Sequence, residues 1–191
     1  MRLFTKFNII AVLVLAVVSC GSSPQVFTQK KATAKPYRTM AILPFDNYSG
    51  VEDAGKQVSE AFLVELLRQT AFHIVEPGET ERVMKEERIR SAGQIDNATA
   101  KLLKEKLSAD YLLIGAVGEY NYLKEGDRDV PLVGFTVRLL DTSTGQIVWA
   151  ANHSKRGDDG ELIFGWRGVS SLSKLTKICV NDVISRIKFE Q

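Results

Sequence analysis

Tyr111-Leu-Leu-Ile-Gly-Ala-Val117 is apolar at nearly every position. A strand with one wet face alternates polar and apolar residues; a strand without alternation is buried on both faces. This run therefore predicts a central strand with a layer of structure on each side. The flanking segments supply those layers. Met40–Phe45 is a short apolar strand stopped by Pro44, which cannot donate to a sheet ladder. Asp46–Gly50 has turn composition. From Asp53, read as the N-cap, Val58, Ala61, Phe62 and Leu66 repeat at helical spacing through Thr70. Phe72–Glu76 reads as a strand closed by Pro77-Gly78, followed by a charged helix over Glu79–Arg90. Asp96 or Asn97 can cap a further helix that runs to Leu107. After the central strand, Lys124–Val130 reads as a charged loop, and Val133–Leu140 and Gln146–Ser154 as strands. Asp141–Gly145 joins those two as a hairpin, with Gly145 placed for positive φ. A last helix over Ser170–Phe189 carries Leu172, Leu175, Cys179, Val183 and Ile187 on one stripe. The order β-α-β-α-α-β-β-β-α predicts a single α/β (α+β) domain, with a mixed sheet of about five strands and helices packed on it.

The N-terminus reads differently. Arg2 and Lys6 precede ten unbroken apolar residues, Ile9–Val18, and small residues follow. This is the pattern of a secretory signal, and the run is half of the roughly 20 residues that a membrane-spanning helix needs. Val17-Val18-Ser19-Cys20 resembles a bacterial lipobox. That resemblance implies cleavage before Cys20 and lipid attachment to it, and more than one acyl chain gives a stable anchor. Gly21 stands where an acidic residue would imply retention in the inner membrane, so the expected location is the outer membrane, periplasmic face. Residues 1–19 are then a signal peptide, residues 20–36 a lipidated cysteine and flexible tether, and residues 37–191 the folded domain. Loss of Arg2 and Lys6 takes the 25 basic residues to 23, equal to the 23 acidic ones. A neutral exported chain excludes nucleic acid as a partner.

Motifs for catalysis or cofactors are absent. There is no phosphate-binding Gly-rich loop ending in Lys-Ser/Thr, and Gly115-Ala-Val-Gly118 lacks the third glycine and the helix of a dinucleotide site. His73 and His153 have no metal-ligand neighbours at recurring spacing, and no Gly-x-Ser-x-Gly elbow occurs. Asp127 with Asp129, and Asp158 with Asp159 and Glu161, read as solvated turns. With Cys20 lipidated, Cys179 stands alone and reads as a core residue. The expectation is a non-enzyme with no catalytic residues, no metal and no cofactor. Trp149 reads as core. Phe164 and Trp166, in the Gly-rich stretch 157–168, are the candidates for partner contact.

Several segments together resemble the CsgG-type lipoproteins, the curli assembly and transport family: Ala41–Asn47 with Ser49-Gly50, Phe72–Glu76, Glu86–Gln94, Leu107–Gly118 and Val137–Val148. Thr144-Gly-Gln-Ile-Val-Trp149 is also similar to the LpoB-type activators of peptidoglycan synthases, whose domain is related. The resemblance implies a periplasmic domain, anchored through its lipid, that binds other envelope proteins, with a homo-oligomeric ring as one arrangement. Two narrower functions are implied as alternatives: a subunit of a curli-like secretion channel, or an activator of a peptidoglycan synthase. Tyr122–Pro131 and Lys155–Ser170 are too short for the long barrel hairpins of a channel subunit.

Overall fold

The computed structural model describes residues 25–28, 38–159 and 168–187. Seven strands form one mixed sheet. They are β1 (Gln25–Thr28), β2 (Thr39–Ile42), β3 (Asp46–Asn47), β4 (His73–Ile74), β5 (Tyr111–Glu125), β6 (Arg128–Asp141) and β7 (Ile147–Arg156). Their order is β1-β7-β6-β5-β2-β4, and β3 continues the line of β2 along β5. β2 is parallel to both β4 and β5; β5, β6, β7 and β1 are successively antiparallel. The helices are α1 (Ala54–Gln69), α2 (Pro77–Glu86), α3 (Asn97–Leu107) and α4 (Leu172–Ile184), with a 3-10 turn at Ala92–Gln94.

The expected central strand is central. Tyr111, Leu113 and Val117 of β5 face α1 and α4, and Leu112 and Ile114 face α2 and α3. On the first face Phe62 stacks tilted on Phe45 at 5.4 Å and edge-on to Phe135 at 5.3 Å. Leu175, Cys179 and Val183 of the predicted stripe are all buried there, as is Trp149. On the second face Ala41, Leu43, Val83, Met84, Leu103 and Leu107 form a smaller core.

All five expected strands are present, and two short ones join them. β3 arises because Pro44 breaks β2 and the chain re-pairs with β5 at Ala116 and Val117. β1 lies within the segment read as a tether. The segment Lys124–Val130, read as a charged loop, is strand: Leu123 pairs with Val130, Lys124 with Asp129 and Glu125 with Arg128, leaving Gly126-Asp127 as the turn. Gly126 has φ 59°, the positive value that a two-residue hairpin turn requires at its first position. Charge at the tip of a two-stranded ribbon hid a strand that is exposed on both faces.

Helix ends also shift. Asp53 is left-handed (φ 60°) and makes no side-chain cap. The charged helix starts at Pro77, capped by Glu76, whose carboxylate accepts from the Glu79 N–H at 3.0 Å. It ends at Glu86, just before Arg88 turns left-handed. Asp96 caps α3 as expected, accepting from the Thr99 N–H at 2.8 Å. α4 is shorter at both ends than the predicted Ser170–Phe189.

Candidate functional site

The two helical layers are unequal. α1 and α4 cover the first face from β2 to β7. α2, α3 and the 3-10 turn cover the second face only over β2, the start of β5 and the end of β6 at Leu140. Among the described residues the rest of that face is uncovered, and the alternation along β6 and β7 fits this. Phe135, Val137 and Leu139 point into the core, while Thr136 and Arg138 point outward; Ala151 and His153 point in, while Asn152 and Ser154 point out. The bare region forms a groove of about 560 Å³ whose lining includes Asp46, Tyr48, Ile114, Thr136, Arg138 and Asn152.

Local chemistry sets its rim. Phe45 turns inward over Gly115, where any Cβ would overlap the ring. The next residue, Asp46, points the other way, and its carboxylate accepts from the Ser91 hydroxyl at 2.9 Å and the Gly93 N–H at 3.0 Å. This ties the α2–α3 connection to β3. Asn47 closes the following turn, accepting from the Ser49 N–H and hydroxyl and donating to the Val51 carbonyl at 2.7 Å. Tyr48 is thereby left 72% exposed at the groove mouth. A second cleft lies on the other side of the Asp46 tie, with Lys85, Arg88 and Arg90 on its rim.

Arg138 stands out on the groove floor. It is half-buried, between Ile114 of β5 and Ala150 of β7 in register. Among the described residues its side chain has neither an ion pair nor a hydrogen bond. Further up the same face the Ser154 hydroxyl donates to Glu119 at 2.6 Å, across Gly134, whose missing side chain leaves room for the carboxylate. The groove thus offers an aromatic lip, small apolar strand residues, neutral hydrogen-bonding groups and one unpaired cation. That suits an extended polypeptide segment.

The structure places the sequence candidates as follows. Cys20, Phe164 and Trp166 lie outside the described residues, as does Glu161. Cys179 is buried under α4, and burial pushes its thiol up to about 12, so it is a packing residue. His153 is buried, its Nε2 3.6 Å from an Asp182 carboxylate oxygen, and burial holds its pKa below the usual value. His73 is exposed on β4. The acids have structural partners: Asp129 pairs with Lys124 at 3.3 Å, Asp158 with Arg156 at 2.8 Å, and Asp159 accepts from the Arg156 N–H at 2.8 Å. Among the described residues no group of three or more His, Cys, Asp or Glu could hold a metal ion. No helix of the described residues is long and apolar enough to cross a membrane. The residues that sequence reasoning missed are Tyr48, Thr136, Arg138 and Asn152. For Thr136, Arg138 and Asn152 the signal was the alternation over Phe135–Leu139 and Ala151–Ser154, which marks a wet face even beside a buried strand; Tyr48 sits in a turn and carried no such signal.

Solved structures share this fold. The PelC dodecamer from Paraburkholderia phytofirmans is 23% identical, over 86% of this chain and 97% of that one, with a TM-score of 0.59. The lipoprotein GNA1162 from Neisseria meningitidis is 18% identical, over 78% and 99%, with a TM-score of 0.58. E. coli LpoB is 14% identical, over 64% of this chain and 58% of LpoB, with a TM-score of 0.51. These likenesses establish architecture alone. No curated protein sequence matches the chain. A family model described as peptidoglycan-synthase activator LpoB matches residues 14–154, well over half of the chain, from the apolar N-terminal run to β7. The LpoB side of the sequence resemblance is therefore supported, and nothing here supports the CsgG-type side. From the end of the apolar run to the outer strands of the sheet, this chain belongs to the family of LpoB-type peptidoglycan-synthase activators.

Proposed function

We propose that the protein is a non-enzymatic lipoprotein of the outer membrane, facing the periplasm, that binds a peptidoglycan synthase and stimulates it. The observation that carries this reading is the family match over residues 14–154. The part of the sheet left uncovered among the described residues supports it, because it forms a groove suited to a protein segment. Lipid on Cys20 supplies the anchor; Cys20→Ala abolishes palmitate incorporation, and persistent labelling would refute the assignment. Phe164 and Trp166 are further partner contacts in this reading. The test is glycan polymerisation by purified candidate synthases with and without the unlipidated domain. Stimulation of at least one synthase, lost in Arg138→Glu, is expected; a flat response across all of them overturns the activator role.

A second reading is a homo-oligomeric ring. It is favoured by the PelC dodecamer, of whose subunit 97% is covered. Light scattering of the purified domain distinguishes a monomer from a large ring directly.

A further inference from the structure

The segment read as a tether contains an ordered contact. β1 pairs with β7, with Gln25 opposite Asn152 and Thr28 opposite Trp149. Cys20 precedes Gln25 by five residues. An extended chain advances at most about 3.6 Å per residue, so the two Cα atoms lie within about 18 Å of each other whatever path joins them. A domain attached first at Arg38, eighteen residues on, could stand about 65 Å from the anchor.

We propose that β1 is a strap that holds the β1–β7 edge of the sheet at the lipid surface and turns the β2–β4 edge away from it. This rests on lipid attachment at Cys20, part of the functional reading above. Strands are spaced about 4.8 Å apart, so β4, five spacings from β1 in the sheet order, stands about 24 Å further along. A unit of this size is roughly 40 Å across. Its far pole is then within about 60 Å of the anchoring membrane, against about 100 Å for a domain on a free tether. The strap therefore restricts partners to those whose binding region reaches that close. The residues from Cys20 to Arg38 carry Lys30, Lys31, Lys35 and Arg38 and no acid, so neutral lipid is used to read the strap apart from an electrostatic pull on anionic lipid. On neutral lipid a strap-held orientation is unchanged by salt, unlike a polybasic contact on anionic lipid.

The test uses the mature lipidated protein in phosphatidylcholine vesicles containing a headgroup-nitroxide lipid, with lipidation checked by mass. A fluorophore is placed at Asn152→Cys, beside β1, or at Ala71→Cys, beside β4. Buried Cys179 does not compete for label. Quenching several-fold stronger at position 152 than at 71, in both low and high salt, is expected. The double variant Val26→Pro, Phe27→Pro removes strand pairing. It should equalise the two positions and speed amide exchange at Ala150–Asn152 while leaving exchange in β5 unchanged. Equal quenching in the unmodified lipidated protein, or a difference that survives the double variant, overturns the strap alone. A mass without lipid overturns the anchor and the strap together.

Discussion

His153 is held between β7 and α4, where burial opposes its charged form more than the nearby Asp182 favours it. Lys155 of β7 and Arg186, just after α4, oppose it further. The folded pKa is thus below the unfolded value of about 6.5. Above pH 6.5 both states hold a neutral ring, and the group contributes nothing to pH dependence. As pH falls below 6.5 the unfolded chain takes up the proton first, so stability declines toward the folded pKa. Urea midpoints measured between pH 7 and 5 should fall, and His153→Gln should flatten that slope; an unchanged slope refutes the assignment. Gly115 makes a steric demand instead. Its missing Cβ is the space filled by the Phe45 ring. Gly115→Ala should destabilise by about 1–3 kcal/mol through overpacking, readable by chemical denaturation. Gly134 gives the contrast, because a Cβ there meets only the movable Glu119 side chain.

At the scale of elements, the β6–β7 turn is more than a connector. Asp141 accepts from the Ser143 and Thr144 N–H groups, and Gly145 takes the positive φ of 68°. The buried Thr142 hydroxyl donates to the carbonyls of Ala109 and Asp110 at 2.8 and 2.9 Å, so the turn locks onto the start of β5. Asp110 in turn accepts from the Thr39 N–H and donates its own N–H to the Thr39 carbonyl, adding β2 to the same node. Thr142→Val keeps the shape and removes the donor; a loss of about 1–2 kcal/mol is expected in equilibrium unfolding. The sequence showed this turn but not what it docks on, because Asp141-Thr-Ser-Thr-Gly145 is local chemistry and Ala109 lies 33 residues away. The β5–β6 tip shows the same division. Its residues are polar because the ribbon extends beyond any covering layer, so no hydrophobic period marked it as strand.

For the whole molecule, the decisive feature is that the two helical layers do not match. Among the described residues the sheet is clothed on one face and half-clothed on the other, which leaves one broad surface uncovered with the Arg138 side chain unpaired on its floor. Replacing an exposed-face charge that has no partner leaves the fold intact. Arg138→Glu should therefore keep the wild-type unfolding midpoint while weakening synthase binding at least tenfold, by titration of a labelled synthase. Arg138→Lys should retain part of the affinity. Loss of stability in the charge reversal, or binding unaffected by it, would remove the groove from the interface.

The order of the five main strands and the four helices was decided by the sequence alone. The unbroken apolar run of β5, the stripe of Leu175, Cys179 and Val183 on α4 and the Asp96 cap on α3 each follow from residues within a few positions of one another. So did the absence of familiar catalytic and nucleotide motifs. The tertiary structure decided which surface stays bare, that Pro44 splits one strand into β2 and β3, and that Gln25–Thr28 joins β7 across more than a hundred residues of chain. The physical reason is range. Helical and strand periods report each segment's own need to bury a face, whereas pairing and coverage depend on which distant segment arrives to meet it.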